Sequence, residues 1–489
     1  MKQNKVYPFD QLRKLVLLST ILLTIGLSSC DDILEEKPKS VTAENFYTTV
    51  EEIETAVNAI YSPLKNSSIV EFIVRIDTHT DWGYGRGSRA ILTNIQGFNS
   101  IDEMGSYWVN FYNMISNSNI VIKNSEKNLE IERVIVDKFL AEAKFLRALA
   151  YYHLVRNYGA LPLRTEENLG ERDLEKSQIN VIYDFILSDL HFAELHLDGT
   201  PRQAGRPTKY AAKALLADVY LTLEDFENSK TKAWEVIQSN QFSLVPISTF
   251  EDFQWDLFGP EIITSPEEIF YIKYSRQPGY GNYICWVLNH PSTNYFSYGG
   301  AYAHYGLSTN PFFANWNNSD IRKQLWKQVN FGLGSNTLVC NKYIDPGAVS
   351  QSDGGNDLPL IRYPEVLLIY AEASCRISNG PTTEGLEALN QVHRRAYGFN
   401  PRIPSTVDFK IADYNKDSFC DLVLQERAYE FIFEGKRWYD LKRTGKAEEV
   451  IKATKGVTIA EKAYLWPIPS SELNYNLALD YKIDQNPGY

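Results

Sequence analysis

The sequence predicts a mainly α-helical fold in which antiparallel helical pairs are separated by long irregular loop insertions. Two observations predict it. Apolar residues recur at three- and four-residue spacings in paired runs along most of the chain. A stretch from about Phe250 to Gly355 breaks that rhythm with aromatics, amides and glycines. At 44% hydrophobic residues, the chain has ample material for a sizeable core.

Residues 1–29 read as a secretory signal. Lys2, Lys5, Arg13 and Lys14 make a basic start. Leu15 to Leu27 is an apolar run too short to span a bilayer, which takes roughly 20 apolar residues. The run ends in Leu27-Ser28-Ser29-Cys30, which resembles a bacterial lipobox with Cys30 as the lipidated first residue of the mature chain. Stable anchoring takes more than one acyl chain, and bacterial lipoproteins carry several on this cysteine. Residues 30–40, rich in Asp, Glu and Lys, form an acidic tether. A single domain over 41–489 follows, with a ligand-binding insertion at about 250–355.

Helical signals open at Glu51 to Tyr61, with Ile53, Val57, Ile60 and Tyr61 on one face. Asp77 to Arg89 differs: Trp82, Tyr84, Arg86 and Arg89 are interleaved with Gly83, Gly85 and Gly87, which prevent a stable helix. This is either a loop presenting aromatic and cationic groups or a glycine-rich hairpin tip with no ligand. It lacks the GxxxxGK[ST] order of a phosphate loop. Val134 to Tyr158 is a long amphipathic helix stopped by Gly159 and Pro162, and Val181 to Leu195 is another. Between Thr208 and Ser239, Ala212, Leu215, Leu216, Val219 and Tyr220 mark one helix. Phe226, Ala233, Val236 and Ile237 mark the next, across a turn at Glu224-Asp225. The pair resembles a tetratricopeptide hairpin. Pro364 to Tyr397, broken at Gly380-Pro381, makes a second such pair, and the helices at Val134 and Val181 a third.

The insertion has its own chemistry. No Asp, Glu, Lys or Arg lies between Arg276 and Asp320, and 11 of the 37 residues from Tyr280 to Trp316 are aromatic, against 13% overall. Asn282, Asn289, His290, Asn294, His304, Asn310 and Asn315 lie among them, and glycines mark turns. A neutral surface of rings and amides suits a neutral polyhydroxylated ligand: rings cover the apolar face of a sugar, and amides meet its hydroxyls. The competing explanation is that aromatics pin long loops to the scaffold. Tyr283, Trp286, Tyr298 and Trp316 from the insertion, with Trp82, Tyr84 and Arg86 from the glycine-rich loop, are the candidate ligand contacts.

The net charge is −12; the leader contributes +3, so the mature body carries −15. That argues against nucleic acid and anionic lipid as partners. It also disfavours a strongly anionic ligand unless a local basic pocket overrides the total. Cys285, Cys340, Cys375 and Cys420 lie too far apart in sequence for a zinc knuckle or a CxxC pair. In an exported chain, disulfides and buried thiols are both open to them.

Several blocks resemble one family in order. CDDILEEKP and ENFYTTVEEIETAVNAIY are followed by SYWVNFYNMISNSNIVI, with Trp108, Tyr112 and Asn119. AEAKFLRALAYYHLVRNYGALPL, GRPTKYAAKALLADVYL, IRYPEVLLIYAEA, ERAYEFIFEGKRWYDLKR and a terminal YLWPIPSSELNYNLALDYKIDQNPGY come next. Together they resemble the SusD/RagB lipoproteins over nearly the whole mature chain. His393 departs from the pattern, standing where family members usually have Arg, and the aromatic insertion follows no fixed family pattern. The resemblance implies a SusD-like helical fold lipid-anchored at the cell-surface face of the outer membrane. It implies a partner, a SusC-like TonB-dependent transporter on which the protein sits as a lid, and a ligand that is an oligosaccharide or, in some members, a peptide. It implies no cofactor.

Two rival classes remain. For an enzyme, no HExxH, GxSxG or dinucleotide fingerprint occurs, and the aromatic stretch holds no carboxylate pair. Against a pure interaction scaffold, the uncharged aromatic insertion speaks for an additional small ligand. In ERAYEFIFEGKRWYDLKR the many charges read as structural: Glu426, Arg427, Glu430, Glu434, Lys436 and Arg437 can pair at three or four residues along one helix.

Overall fold

The helical periodicity is realised as a stack of antiparallel pairs. The computed structural model describes residues 46–65, 67–126, 131–295 and 299–489; the signal, the tether with Cys30, and Tyr298 lie outside them. The main helices are α1 (Val50–Ile60), α2 (Ser67–Thr78), α3 (Gly105–Ser125), α4 (Arg133–Tyr158), α5 (Ile179–His196), α6 (Lys209–Thr222), α7 (Phe226–Gln238), α8 (Ile284–Leu288), α9 (Tyr363–Ser378), α10 (Thr383–Ala396), α11 (Lys416–Glu430) and α12 (Arg437–Arg443).

Local chemistry sets their ends. Thr49 and Glu52 form a capping box at the start of α1, each side chain accepting from the other's backbone N–H. The acidic turn between α6 and α7 divides its labour: Glu224 takes the left-handed conformation at φ 60°, and Asp225 accepts from Asn228 N to cap α7. Helix α4 is buried on nearly every side, including Phe139, Leu146, Leu149 and Tyr152, because α3 and α5 both pack along it. The series continues α5 on α6, α6 on α7, α7 on α9 and α9 on α10. The pair α9–α10 therefore joins the pair α6–α7 in space despite the insertion between them in sequence. Tyr47–Tyr489 is one compact unit, and among the described residues no helix is long and apolar enough to cross a membrane.

The charged segment after α11 is not one helix. Phe433 (φ 55°) and Gly435 (φ 71°) turn the chain before α12, so most of the charges pair across elements rather than along a helix. Arg362 meets Glu430 at 2.6 Å, Glu434 at 2.8 Å and Glu267 at 3.1 Å. Arg395 bridges Glu267 and Glu430. Arg322, from the insertion, holds Asp320 (2.7 Å), Glu426 (2.5 Å) and Glu430 (3.0 Å). His393 supplies a further partner, Nδ1 lying 3.2 Å from Glu426. Burial opposes ionisation of Glu426, yet Arg322 and His393 hold its carboxyl down to about 2. Buried charges are tolerated only when paired in this way, and the network clamps the insertion to α10 and α11.

The insertion is more ordered than its sequence suggests. Glu268–Ile272 pairs with Leu358–Arg362 at its base, where the chain leaves and re-enters the scaffold. Beyond that base lies an antiparallel sheet of β1 (Tyr84–Gly85), β2 (His304–Leu307), β3 (Trp326–Gln328) and β4 (Thr337–Cys340), in the order β1-β2-β4-β3. One edge strand comes from the glycine-rich loop.

Candidate functional site

The glycine-rich loop reaches the insertion because two positions have no Cβ. A Cβ on Gly83 would lie 2.5 Å from the Asp77 carbonyl oxygen and Thr78 Cα at the end of α2. One on Gly85 would lie 2.0 Å from the Arg89 carbonyl oxygen. With those approaches allowed, Tyr84 pairs with Tyr305 and Gly85 with His304. Arg86 then closes on the segment before β2: its N–H donates to Ala303 O (2.8 Å) and its Nη2 to Ala301 O (2.9 Å). From the other side α8 holds the same segment. Ala301 N donates to Trp286 O at 2.6 Å, Ala303 N to Val287 O at 2.9 Å, and Tyr302 N to Asn289 O at 3.1 Å. Residues 301–303 are thus a seam that places Tyr84, Arg86, Tyr283 and Trp286 on neighbouring elements.

Around the seam the rings are half-buried. The Arg86 guanidinium sits 3.8 Å from the centroid of Tyr302, and His290 and Phe331 crowd that ring at 4.5 Å and 5.1 Å. Tyr305 stacks on Tyr84 at 5.6 Å and meets Phe331 edge-on at 5.7 Å. Trp286 has Tyr283 at 5.5 Å as its ring neighbour. The Tyr283 hydroxyl donates to Glu71, which also pairs with Arg89. Burial would raise the Glu71 carboxyl, but the bond from Tyr283 and the charge of Arg89 hold it below its ordinary range. Partial burial and then Arg86 pull the His290 imidazole down. The surface can therefore offer ring faces and edges, a neutral imidazole and one guanidinium.

Two candidates are corrected. Trp82 is 0% exposed, packed among Trp326 (5.6 Å), Phe433 (5.1 Å) and Phe312 (6.1 Å). Trp316 is 2% exposed, stacked on Tyr429 at 4.1 Å, and its Nε1 donates to Asp320 Oδ2 at 2.9 Å, bracing the partner of Arg322. Both are interior rings with no face for a ligand, because an indole surrounded by aromatic neighbours gains most from complete burial. Tyr84 is part-exposed, but Tyr305 and Lys455 Nζ (4.7 Å) occupy its ring and Asn310 donates to its hydroxyl. Tyr283, Trp286 and Arg86 keep accessible surface. The candidate set omitted Tyr302, Tyr305 and His290 from the aromatic stretch, and Phe331 beyond it. Phe331 stands before Gly332 and Gly334, the same ring-and-glycine pattern that marks Tyr84.

A cavity of about 770 Å³ lies elsewhere, between the α7 end and the loop after α10, lined by residues that include Phe242, Tyr363, Phe399 and Arg402; none of its lining belongs to the inserted sheet. The four described cysteines are free and buried, with Cys375 and Cys420 Sγ atoms 3.8 Å apart. Among the described residues no cluster of three or more His, Cys, Asp or Glu is placed to hold a metal.

The fold and surface define a helical-repeat protein that carries a part-exposed aromatic patch on an inserted sheet. Known proteins share this build. A family described as the SusD family matches residues 294–489, and one described as starch-binding and associating with the outer membrane matches 32–221. SusD-like protein P2 of Formosa agariphila is 28% identical, covering 96% of this chain and 99% of its own. A SusD superfamily protein of Parabacteroides distasonis superposes with a TM-score of 0.75 at 24% identity, over 92% of this chain and all of that one. Surface glycan-binding protein A of Bacteroides thetaiotaomicron, solved with laminarihexaose, gives 0.73 at 19%, over 89% of this chain and 99% of its own. The chain belongs to the SusD/RagB family.

Proposed function

We propose that this protein binds oligosaccharides at the outer-membrane surface, by the patch around residues 301–303, and delivers them to a SusC-like TonB-dependent transporter, with Cys30 as its lipid anchor. The observation that carries the reading is the convergence of the glycine-rich loop and α8 on one seam, which gathers part-exposed rings in a region poor in charge. A family relative holding laminarihexaose supports a glycan as the ligand class. Trp286 is the principal stacking ring. Tyr283 is fixed behind it through Glu71. The role is capture rather than catalysis: Glu71, the carboxylate nearest the rings, is held by Tyr283, Arg89 and Arg75.

Burying one sugar face of about 60 Å² gains roughly 1.5 kcal/mol, and two or three contacts give on the order of 3–5 kcal/mol. After the cost of ordering a flexible chain, affinity falls between about millimolar and tens of micromolar, as suits a protein that hands its cargo on. Calorimetry against a panel of oligosaccharides and peptides tests the reading. Binding of at least one glycan, weakened by Trp286→Ala, is expected; a panel that yields only peptides, or nothing, overturns it.

A further inference from the structure

Arg86 is unusual in this molecule. Twenty arginines lie among the described residues, and 18 of them have a carboxylate oxygen within 4.0 Å. Among the described residues the two without one are Arg86 and Arg402. Arg402 is exposed, where water solvates it. Arg86 is half-buried, and its known partners are uncharged: the Ala301 carbonyl and the Tyr302 ring. A protein with a body of −15 has carboxylates to spare, yet the stretch packed against Arg86 contains none between Arg276 and Asp320.

The guanidinium is also held in place. The bond to Ala301 O and the contact with Tyr302 fix its plane, and the N–H of the same Ala301 donates to the Trp286 carbonyl. None of its remaining N–H groups is sealed from solvent without a partner. A fixed fork of donors beside a stacking ring matches a planar or tetrahedral oxyanion bidentately, and Arg is suited to that contact where Lys is not.

We propose that the glycan bound here carries an acidic group, a uronate carboxylate or a sulfate ester, which Arg86 receives while Trp286 stacks on a sugar ring. The inference rests on the oligosaccharide reading above and narrows it. The acidic body repels such a ligand at long range, so the contact is local and salt-sensitive.

The test uses matched probes on the mature protein: oligogalacturonate against its carboxyl-reduced form, and a sulfated galactan oligosaccharide against its desulfated form. At low salt one acidic member should bind at least tenfold more tightly than its neutral counterpart, and the pair that shows the gap identifies carboxylate or sulfate. The gap should shrink in 0.5 M salt (about a 4 Å Debye length). It should close in Arg86→Gln and remain in part in Arg86→Lys, which keeps the charge without the fork. Trp286→Ala should weaken both members. Equal affinity within both pairs, or a gap that survives Arg86→Gln, overturns the acidic-group inference. Neutral probes binding through Trp286 alone would overturn it while leaving the oligosaccharide reading intact; no binding by any probe would overturn both.

Discussion

Replacing Trp82 and replacing Trp286 with Ala should produce opposite phenotypes, although both are tryptophans beside the same seam. Trp82 is fully buried among three rings, and Gly83 is locked against α2, so the surroundings have little freedom to collapse. Trp82→Ala should cost about 4 kcal/mol, within the usual range of about 3–5 for such truncations. The indole N–H has no partner, so no hydrogen bond is lost with it. Unfolding a unit of this size changes entropy by roughly 0.9 kcal/mol per kelvin, so Tm should fall by about 4 °C. Trp286 is half-buried with one ring neighbour among the described residues. Trp286→Ala should lower Tm by about 1 °C or less but weaken the tightest panel glycan about tenfold, the equivalent of roughly 1.4 kcal/mol. Differential scanning calorimetry and titration calorimetry read the two effects separately. The reasoning is refuted if Trp82→Ala loses affinity at unchanged Tm, or if Trp286→Ala melts as early as Trp82→Ala.

Glu430→Gln should destabilise by about 3–5 kcal/mol, because it leaves Arg322, Arg362 and Arg395 short of a counter-charge; a urea midpoint within about 1 kcal/mol of wild type would show the network to be dispensable. Burial, with Arg89 and Arg75 assisting and Glu71 opposing, pulls the His304 imidazole down to about 3. The unfolded chain therefore takes up that proton first: stability is whole above about pH 6.5 and is lost as pH falls toward 3, at up to about 1.4 kcal/mol per unit. His304→Gln should flatten the Tm–pH profile in that window, and an unchanged slope would contradict it. Cys30→Ala should release a folded protein from the membrane fraction when the transporter is absent; retention there would rule out the lipid anchor. Gentle detergent extraction with cross-linking should recover a TonB-dependent barrel, and repeated failure would count against the lid arrangement.

The helical pairs were legible because their information is local. The spacing of Ala212, Leu215, Val219 and Tyr220, and the caps Thr208 and Asp225, are fixed by residues within a few positions of one another. The charged run after Lys416 was only half legible. Ala428, Phe431, Ile432, Trp438 and Leu441, which stand at core spacing for a helix, are all buried, but the break at Phe433 and Gly435 was not legible. Glu426, Glu430 and Glu434 found arginines 35 to 108 residues away, where helical spacing has no reach. The base of the insertion was missed for the same reason: Glu268–Ile272 and Leu358–Arg362 are strands only because they pair with each other.

The tryptophans show most sharply where sequence reading stops. Trp82, Trp286 and Trp316 all stand beside aromatics, amides or glycine, and nothing within five residues separates them. What separates them is distant. Phe433 and Trp326 close over Trp82, Tyr429 lies flat on Trp316, and among the described residues no such partner closes over Trp286. The two covered indoles bind the insertion to the scaffold, one under β1 and one beside the Asp320–Arg322 pair. That fastening lets the seam at 301–303 hold Arg86 and Trp286 in fixed relation. In the sequence, a long loop pinned by aromatics and a loop that offers aromatics to a ligand are competing readings of one stretch. In this fold they are successive layers of it: the pinned rings are the floor on which the accessible ones stand. A ligand contact placed on Trp286 therefore presupposes Trp82 and Trp316 as core.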